Sequence, residues 1–197
     1  MKEYPMRKLI SAFKVSLDLK FQGPGDYADW VPAWSEDYDL GDSIDACVLG
    51  GAMYRGYEGY WSAMRTNPAA PSPMTGTVAT ADELKWAERI PDLPHYVLTR
   101  AMTESQWPNT RFLNDIDRIT ELKQQAGKNI YLMGGGAMFR RLMAEGLVDE
   151  LRLIVYPIAA GGTNDLFTHD ASRQPFRLLN AKRLDDGLMR LDYAVAR

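Results

Sequence analysis

The residues best placed to do chemistry lie in Ile130-Tyr131-Leu132-Met133-Gly134-Gly135-Gly136-Ala137-Met138, where an apolar run stops at three consecutive glycines and a helix-like pattern begins at once. Glycine permits a tight turn through positive φ and, lacking Cβ, lets another group approach the backbone. A helix starting there also exposes the free N–H groups of its first turn, a ready anion site. A phosphate or pyrophosphate would rest on the amides of Gly135, Gly136, Ala137 and Met138. The common phosphate loops do not match: GxGxxG would need glycine where Phe139 stands, and the Gly-Lys-Ser/Thr of a Walker loop is absent. Three glycines in a row carry an entropic cost with no folding return, which favours a ligand over a plain turn.

Gly50-Gly51 repeats the arrangement, directly after the short apolar run Ala46 to Leu49. A third strand end, Leu98-Thr99-Arg100, offers a hydroxyl and a guanidinium. Alone, Arg100 reads as a solvated surface charge. Open α/β sheets bind ligands beyond the carboxyl ends of their strands, and arginine is the side chain built to fork a phosphate. Two glycine turns and an arginine at strand ends therefore point to a dinucleotide. No metal site is expected: Cys47 is the only cysteine, and His95 and His169 lie far apart.

Lys8 to Leu17 is a first strand, ending in a polar, Gly/Pro-bearing loop. Trp34 to Asp42 is a short acidic helix or turn carrying Glu36, Asp37, Asp39 and Asp42. Ala46 to Leu49 is a strand covered on both faces, followed by AMYRGYEGYWSAM, helical at its start. Asn67 to Thr77 is a loop or insertion, and Ala81 to Ile90 a helix starting near Thr80. Tyr96 to Thr99 and Thr110 to Leu113 are strands. Asn114 or Asp115 caps a helix over Asp117 to Gln125, which Gly127 ends. Ile130 to Met133 is a strand, and Ala137 to Glu145 a helix with Met138, Leu142 and Met143 on one face and Gly146 as its C-cap. Leu151 to Ile158 is a long strand. Phe176 to Leu184 and Leu188 to Val195 form a β-hairpin about Asp186-Gly187. Strand-helix alternation closed by a hairpin predicts one three-layer α/β domain over 1–197, its sheet mostly parallel with an antiparallel edge.

Composition narrows the function. The chain has 197 residues and a net charge of −3, with neither a basic stripe nor an acidic tail. Nucleic acid and anionic membrane are poor partners for it. No apolar stretch approaches the ~20 residues of a membrane span, and the N-terminus lacks the apolar segment of a signal peptide. A cytoplasmic protein is expected.

At this point the residues resemble the dihydrofolate reductase superfamily, and most closely the branch containing the reductase domain of the bifunctional riboflavin-biosynthesis enzyme. The resemblance runs over nearly the whole chain. It is carried by Ser16-Leu17-Asp18, by Val48-Leu49-Gly50 with Met53-Tyr54, and by Tyr96 to Arg100. It is carried further by Tyr131 to Gly136, by Gly146-Leu147-Val148-Asp149-Glu150-Leu151-Arg152-Leu153, and by Pro157 with Gly161-Gly162. It implies a dihydrofolate reductase-like fold, NADPH as cofactor and a homodimer. It implies hydride transfer to a small pyrimidine- or pteridine-like heterocycle, most like 5-amino-6-(5-phosphoribosylamino)uracil reductase. Dihydrofolate reduction is one alternative, and a nucleotide-binding module without turnover is another.

In this resemblance the diphosphate lies on Gly134 to Met138 and at Gly50 and Gly51. Thr99 and Arg100 meet the adenosine ribose and its 2′-phosphate, and the nicotinamide reaches the first strand near Lys14. Asp18 is either a substrate contact or a loop carboxylate accepting backbone N–H bonds. Glu36, with Asp37, is either a proton source or a solvated acidic face. Trp30 and Trp34 either stack on the heterocycle or pack a helix onto the sheet. The chain departs from the family pattern at Leu19, where glycine is usual, at Gly51, where arginine is usual, and at Met53, where threonine is usual. Trp34 falls at the carboxylate position of a true dihydrofolate reductase, and Ile154 at its supporting threonine. The zinc deaminase half of the bifunctional enzyme has no counterpart here.

Overall fold

The computed structural model describes residues 6–23, 28–34, 38–72, 76–133, 135–168 and 172–196. The elements are β1 (Leu9–Val15), β2 (Ile44–Gly50), α1 (Gly51–Thr66), α2 (Ala81–Arg89), β3 (His95–Leu98), β4 (Thr110–Leu113), α3 (Asp117–Gln124), β5 (Asn129–Leu132), α4 (Gly136–Ala144), β6 (Glu150–Val155), β7 (Phe176–Arg183) and β8 (Met189–Val195). They form one eight-stranded sheet in the order β4-β3-β2-β5-β1-β6-β8-β7. Strands β1 to β6 pair in parallel, and β8 joins β6 and β7 antiparallel. The expected mixed α/β sheet with its C-terminal hairpin is therefore present. Among the described residues no helix is long and apolar enough to cross a membrane.

The sheet is covered on both faces, which is why its central strands read as unbroken apolar runs. Side chains alternate between two cores. Cys47, Leu49, Tyr131 and Met133 face a layer with Tyr54, Tyr57 and Trp61 of α1 and Trp86 of α2. Ala46, Val48, Ile130 and Leu132 face the opposite layer, with Ile119 and Leu122 of α3 and Phe139 and Leu142 of α4. Burial pushes the Cys47 thiol well above its ordinary pKa.

Local differences from the sequence reading have local causes. Helix α3 begins after Ile116 with no side-chain cap; Asp115 only accepts the Asp117 N–H, at 3.0 Å. Gly127 lies beyond the cap Gln125, at φ +155. A Cβ on it would come within 2.8 Å of the Asp45 carboxylate and 3.0 Å of the Arg7 guanidinium, so it serves close approach rather than helix termination. Gly146 does stop α4: its φ is +65, and Leu147 N–H donates to Leu142 O at 2.9 Å. The buried face of α4 is Gly136, Phe139 and Leu142, with Met138 and Met143 at its margins, because Phe139 packs edge-on against Phe13 at 5.2 Å. Strand β6 ends at Val155, two residues before Pro157, whose missing N–H cannot extend a ladder.

Candidate active site

The parallel strands deliver their carboxyl ends, and the loops that follow, to one edge of the sheet. Two helices start there. Helix α1 opens on Gly50 and α4 on Gly135; neither N-cap has a side-chain hydrogen bond, and neither first turn holds an acidic residue. Their first-turn amides and dipoles are thus left for an outside anion. The two starts are neighbours, since a Cβ on Gly50 would lie 3.9 Å from the Met138 Cβ. The Met138 and Phe139 N–H groups already donate to Gly135 O, at 3.0 and 3.2 Å. That removes the Met138 amide from the expected phosphate contacts and leaves those of Gly135, Gly136 and Ala137. Gly134 lies outside the described residues.

Gly51 and Thr99 also meet. A Cβ on Gly51 would stand 2.5 Å from the Thr99 Oγ1 and 2.7 Å from its Cβ, so no side chain fits there without moving β3's end. The position has no room for the arginine usual in the resembling family. Thr99 Oγ1 accepts the Ala101 N–H at 3.2 Å, and Arg100 beside it is exposed. Gly136 is equally tight: a Cβ would come within 2.5 Å of the Phe21 ring.

Between the helix starts and β1 opens a cleft of about 400 Å³. Met53 of α1 and Gly135 at the head of α4 reach its wall, so the glycine turns and the cleft are continuous. Lys14 projects into it from β1, and its Nζ donates to Ala33 O at 3.3 Å. Aromatic rings from both cores line the rest, including Phe13, Phe21, Tyr38, Trp61 and Tyr131. Trp34 is a wall residue, stacked on Trp86 at 4.9 Å and edge-on to Trp61 at 5.6 Å. It therefore packs against the helical layer and faces the cleft at once. Trp30 lies apart, in an adjoining cavity of about 870 Å³ that shares Trp34 and Ala33 with the first. Its indole N–H is buried without a partner among the described residues.

The two expected acids fare differently. Asp18 does not line the cleft. Its carboxylate accepts the Ser16 hydroxyl at 2.5 Å and the Ala160 and Gly161 N–H groups at 2.9 and 2.8 Å. Those bonds, the Ser16 hydroxyl first, lower its pKa to about 2. These bonds are those of a loop carboxylate accepting backbone N–H groups, and a group ionised throughout the neutral range cannot deliver a proton there. Glu36 lies outside the described residues.

The carboxylate that does reach the described cleft wall is Glu83, which sequence reasoning missed. It is 3 % exposed. It accepts Trp34 N–H at 3.1 Å, the Tyr60 hydroxyl at 3.3 Å, and the Thr80 N–H and hydroxyl at 2.9 and 3.2 Å. The signal was present as Thr80-x-x-Glu83, the capping box that starts α2. What that pattern does not carry is the reach of Glu83 to Trp34.

Residues 7–189 match the family model described as the RibD C-terminal domain. The chain belongs to the RibD C-terminal domain family. A relative in that size range is YyaP of Bacillus subtilis, 26 % identical over 194 residues, covering 95 % of this chain and 94 % of YyaP. Among solved structures, the diaminohydroxyphosphoribosylaminopyrimidine deaminase/5-amino-6-(5-phosphoribosylamino)uracil reductase of Thermotoga maritima superposes with a TM-score of 0.60 at 12 % identity. That match covers 97 % of this chain and 57 % of the longer enzyme. Dihydrofolate reductase from Enterococcus faecalis, solved with NADP(H), superposes with a TM-score of 0.57 at 15 % identity over 96 % of this chain and 97 % of that one. These two likenesses establish the dihydrofolate reductase-like fold.

Proposed function

We propose that this RibD C-terminal domain protein is an NADPH-dependent reductase that delivers hydride to a C=N or ribosylamino carbon of a pyrimidine- or pteridine-like ring, a reaction most like that of 5-amino-6-(5-phosphoribosylamino)uracil reductase. The observation that carries the reading is the junction of two uncapped, glycine-led helix starts with an aromatic cleft. Membership of the RibD family and the fold shared with an NADP(H)-bound reductase support it.

The residues fit the cofactor. The helix starts of α1 and α4 offer partial positive charge to a diphosphate, and Gly51 and Gly136 keep the backbone bare where a Cβ would collide. Arg100, exposed beside Thr99, would fork a 2′-phosphate. NADPH, when bound, supplies the hydride. The aromatic walls orient a flat ring and exclude water. The Lys14 ammonium is held in the cleft as a hydrogen-bond donor to a ring heteroatom gaining electron density, and as a proton source for it.

Titration with NADPH, with NADH as control, followed by tryptophan fluorescence, tests this. Trp34 in the cleft wall makes quenching the expected signal. Saturable NADPH binding is expected, weakened about tenfold or more in Arg100→Ala and in Gly51→Ala. NADH should be affected by Gly51→Ala but scarcely by Arg100→Ala. Absence of saturation by either cofactor at about millimolar concentration, far weaker than a working cofactor site, would overturn the reading.

A further inference from the structure

We propose that Arg152 is a positioning residue for the substrate ring: it fixes Tyr38 in the cleft wall and so sets the affinity for a flat heterocycle. The inference deepens the reductase reading and rests on its ring-binding cleft. Part of that wall is neither helix nor strand, at Ala33, Trp34 and Tyr38. Such backbone has no ladder of its own to hold its shape, so its polar groups must find other partners. Charged side chains from three elements meet it. Lys14 of β1 donates to Ala33 O at 3.3 Å, Glu83 of α2 accepts the Trp34 N–H at 3.1 Å, and Arg152 of β6 donates to Tyr38 O at 2.6 Å.

The Arg152 side chain is only 15 % exposed. Directly across from it on β1 is Ala12, which lines the cleft. A guanidinium withdrawn from water needs partners. The Glu150 carboxylate lies 3.7 Å from it. Shorter bonds go to two consecutive carbonyls, Tyr38 O at 2.6 Å and Asp39 O at 2.9 Å. The geometry therefore ranks the backbone clamp above the ion pair. Asp39 is held at φ +57, a conformation that non-glycine residues seldom adopt. A strained residue keeps such a shape where its surroundings over-determine it, and bonds to the carbonyls on both sides of its φ and ψ do that. Tyr38, 5 % exposed, is thereby set into the wall. Without the clamp, ligand binding must order Tyr38 itself, which weakens it. Among the described residues the bonds of Arg152 reach Tyr38, Asp39 and Glu150 and neither glycine turn. Cofactor affinity is thus expected to be independent of it.

Calorimetric titrations of the full chain test this. The ligands are NADP+ and two ring compounds, 5-amino-6-(5-phosphoribosylamino)uracil and a dihydropteridine bearing no side chain, the latter two added to protein both free and saturated with NADP+. The ring compound that binds the unmodified protein more tightly is the probe. Arg152→Gln is expected to weaken the probe about tenfold and NADP+ by less than about twofold. Arg152→Lys keeps the charge but not the two-carbonyl fork. Its loss is expected to be smaller, and it carries the test if the glutamine variant does not fold. Tyr38→Ala should weaken the probe to a similar degree and the double variant no further, because residues acting through one contact are not additive. A role confined to stability would lower both affinities together or give additive losses. Either result would overturn the proposal, and so would unchanged probe affinity in the Arg152 variants or failure of both ring compounds to bind the unmodified protein. Failure of the reductase reading shows separately, as ring binding without NADP+ binding.

Discussion

Asp18 shows how one carboxylate is assigned by its partners rather than by its position. It sits three residues beyond the end of β1 at Val15, and its oxygens are taken by Ser16, Ala160 and Gly161. With its pKa lowered to about 2 from 3.8, its contribution to stability is complete above pH 3.8 and is lost as the pH falls toward 2. Asp18→Asn is therefore expected to leave the shape of the pH–rate profile between about pH 5 and 8 unchanged. It should speed hydrogen exchange at the Ala160 and Gly161 amides. A lost ionisation in the rate profile would restore Asp18 to the chemistry. Leu19 beside it is held at φ +57, bracketed by its own N–H to Ser16 O and by Leu166 N–H to its carbonyl, both at 3.0 Å. The left-handed conformation explains why glycine is usual there.

Among the elements, α2 links stability to the site. Its capping box satisfies two N-terminal groups, and the same Glu83 tethers the segment that carries Trp34. The two roles separate by mutation. Thr80→Ala is expected to lower unfolding free energy by about 1 kcal/mol, the usual loss for a missing cap, while leaving cofactor binding intact. Glu83→Ala should destabilise as well and also accelerate hydrogen exchange through residues 28–34, because the Trp34 N–H and the Tyr60 hydroxyl lose their shared acceptor. Equal exchange in the two variants would show that Glu83 serves only the helix.

The molecule as a whole is a sheet between two aromatic-rich layers, and a histidine buried inside one of them predicts a stability that falls in acid. His95 is fully buried among Tyr54, Tyr57 and Trp107; its Nδ1 is 2.7 Å from Leu93 O and its Nε2 has no partner among the described residues. Burial lowers its pKa from 6.5 to about 4. A depressed histidine keeps the fold at full stability above its unfolded value. Stability then declines as the pH falls from 6.5 toward 4, by an amount on the order of 3 kcal/mol if the shift is realised in full. Denaturant melts at stepped pH check this: the decline should flatten in His95→Phe over that window and persist in the unmodified protein. A parallel slope in both would place the acid sensitivity elsewhere.

The class of fold and the two glycine turns are legible in the chain alone. Both rest on short-range rules: period-two runs covered on two faces, caps, and positions where only glycine tolerates the backbone. Thr110–Leu113 and the closing hairpin are set by such local signals. Tertiary structure alone decided which strand ends adjoin. The order β2-β5-β1 sets Gly50 beside Met138 and brings Lys14 into the same cleft. It also decided that Asp18 is spent on a loop, that Glu83 reaches Trp34, and that Trp34 lines both cavities while Trp30 lines the second. Those outcomes depend on contacts between residues up to 143 positions apart. Local propensity carries no information at that range, because what fixes such pairs is burial and hydrogen-bond satisfaction in the packed molecule.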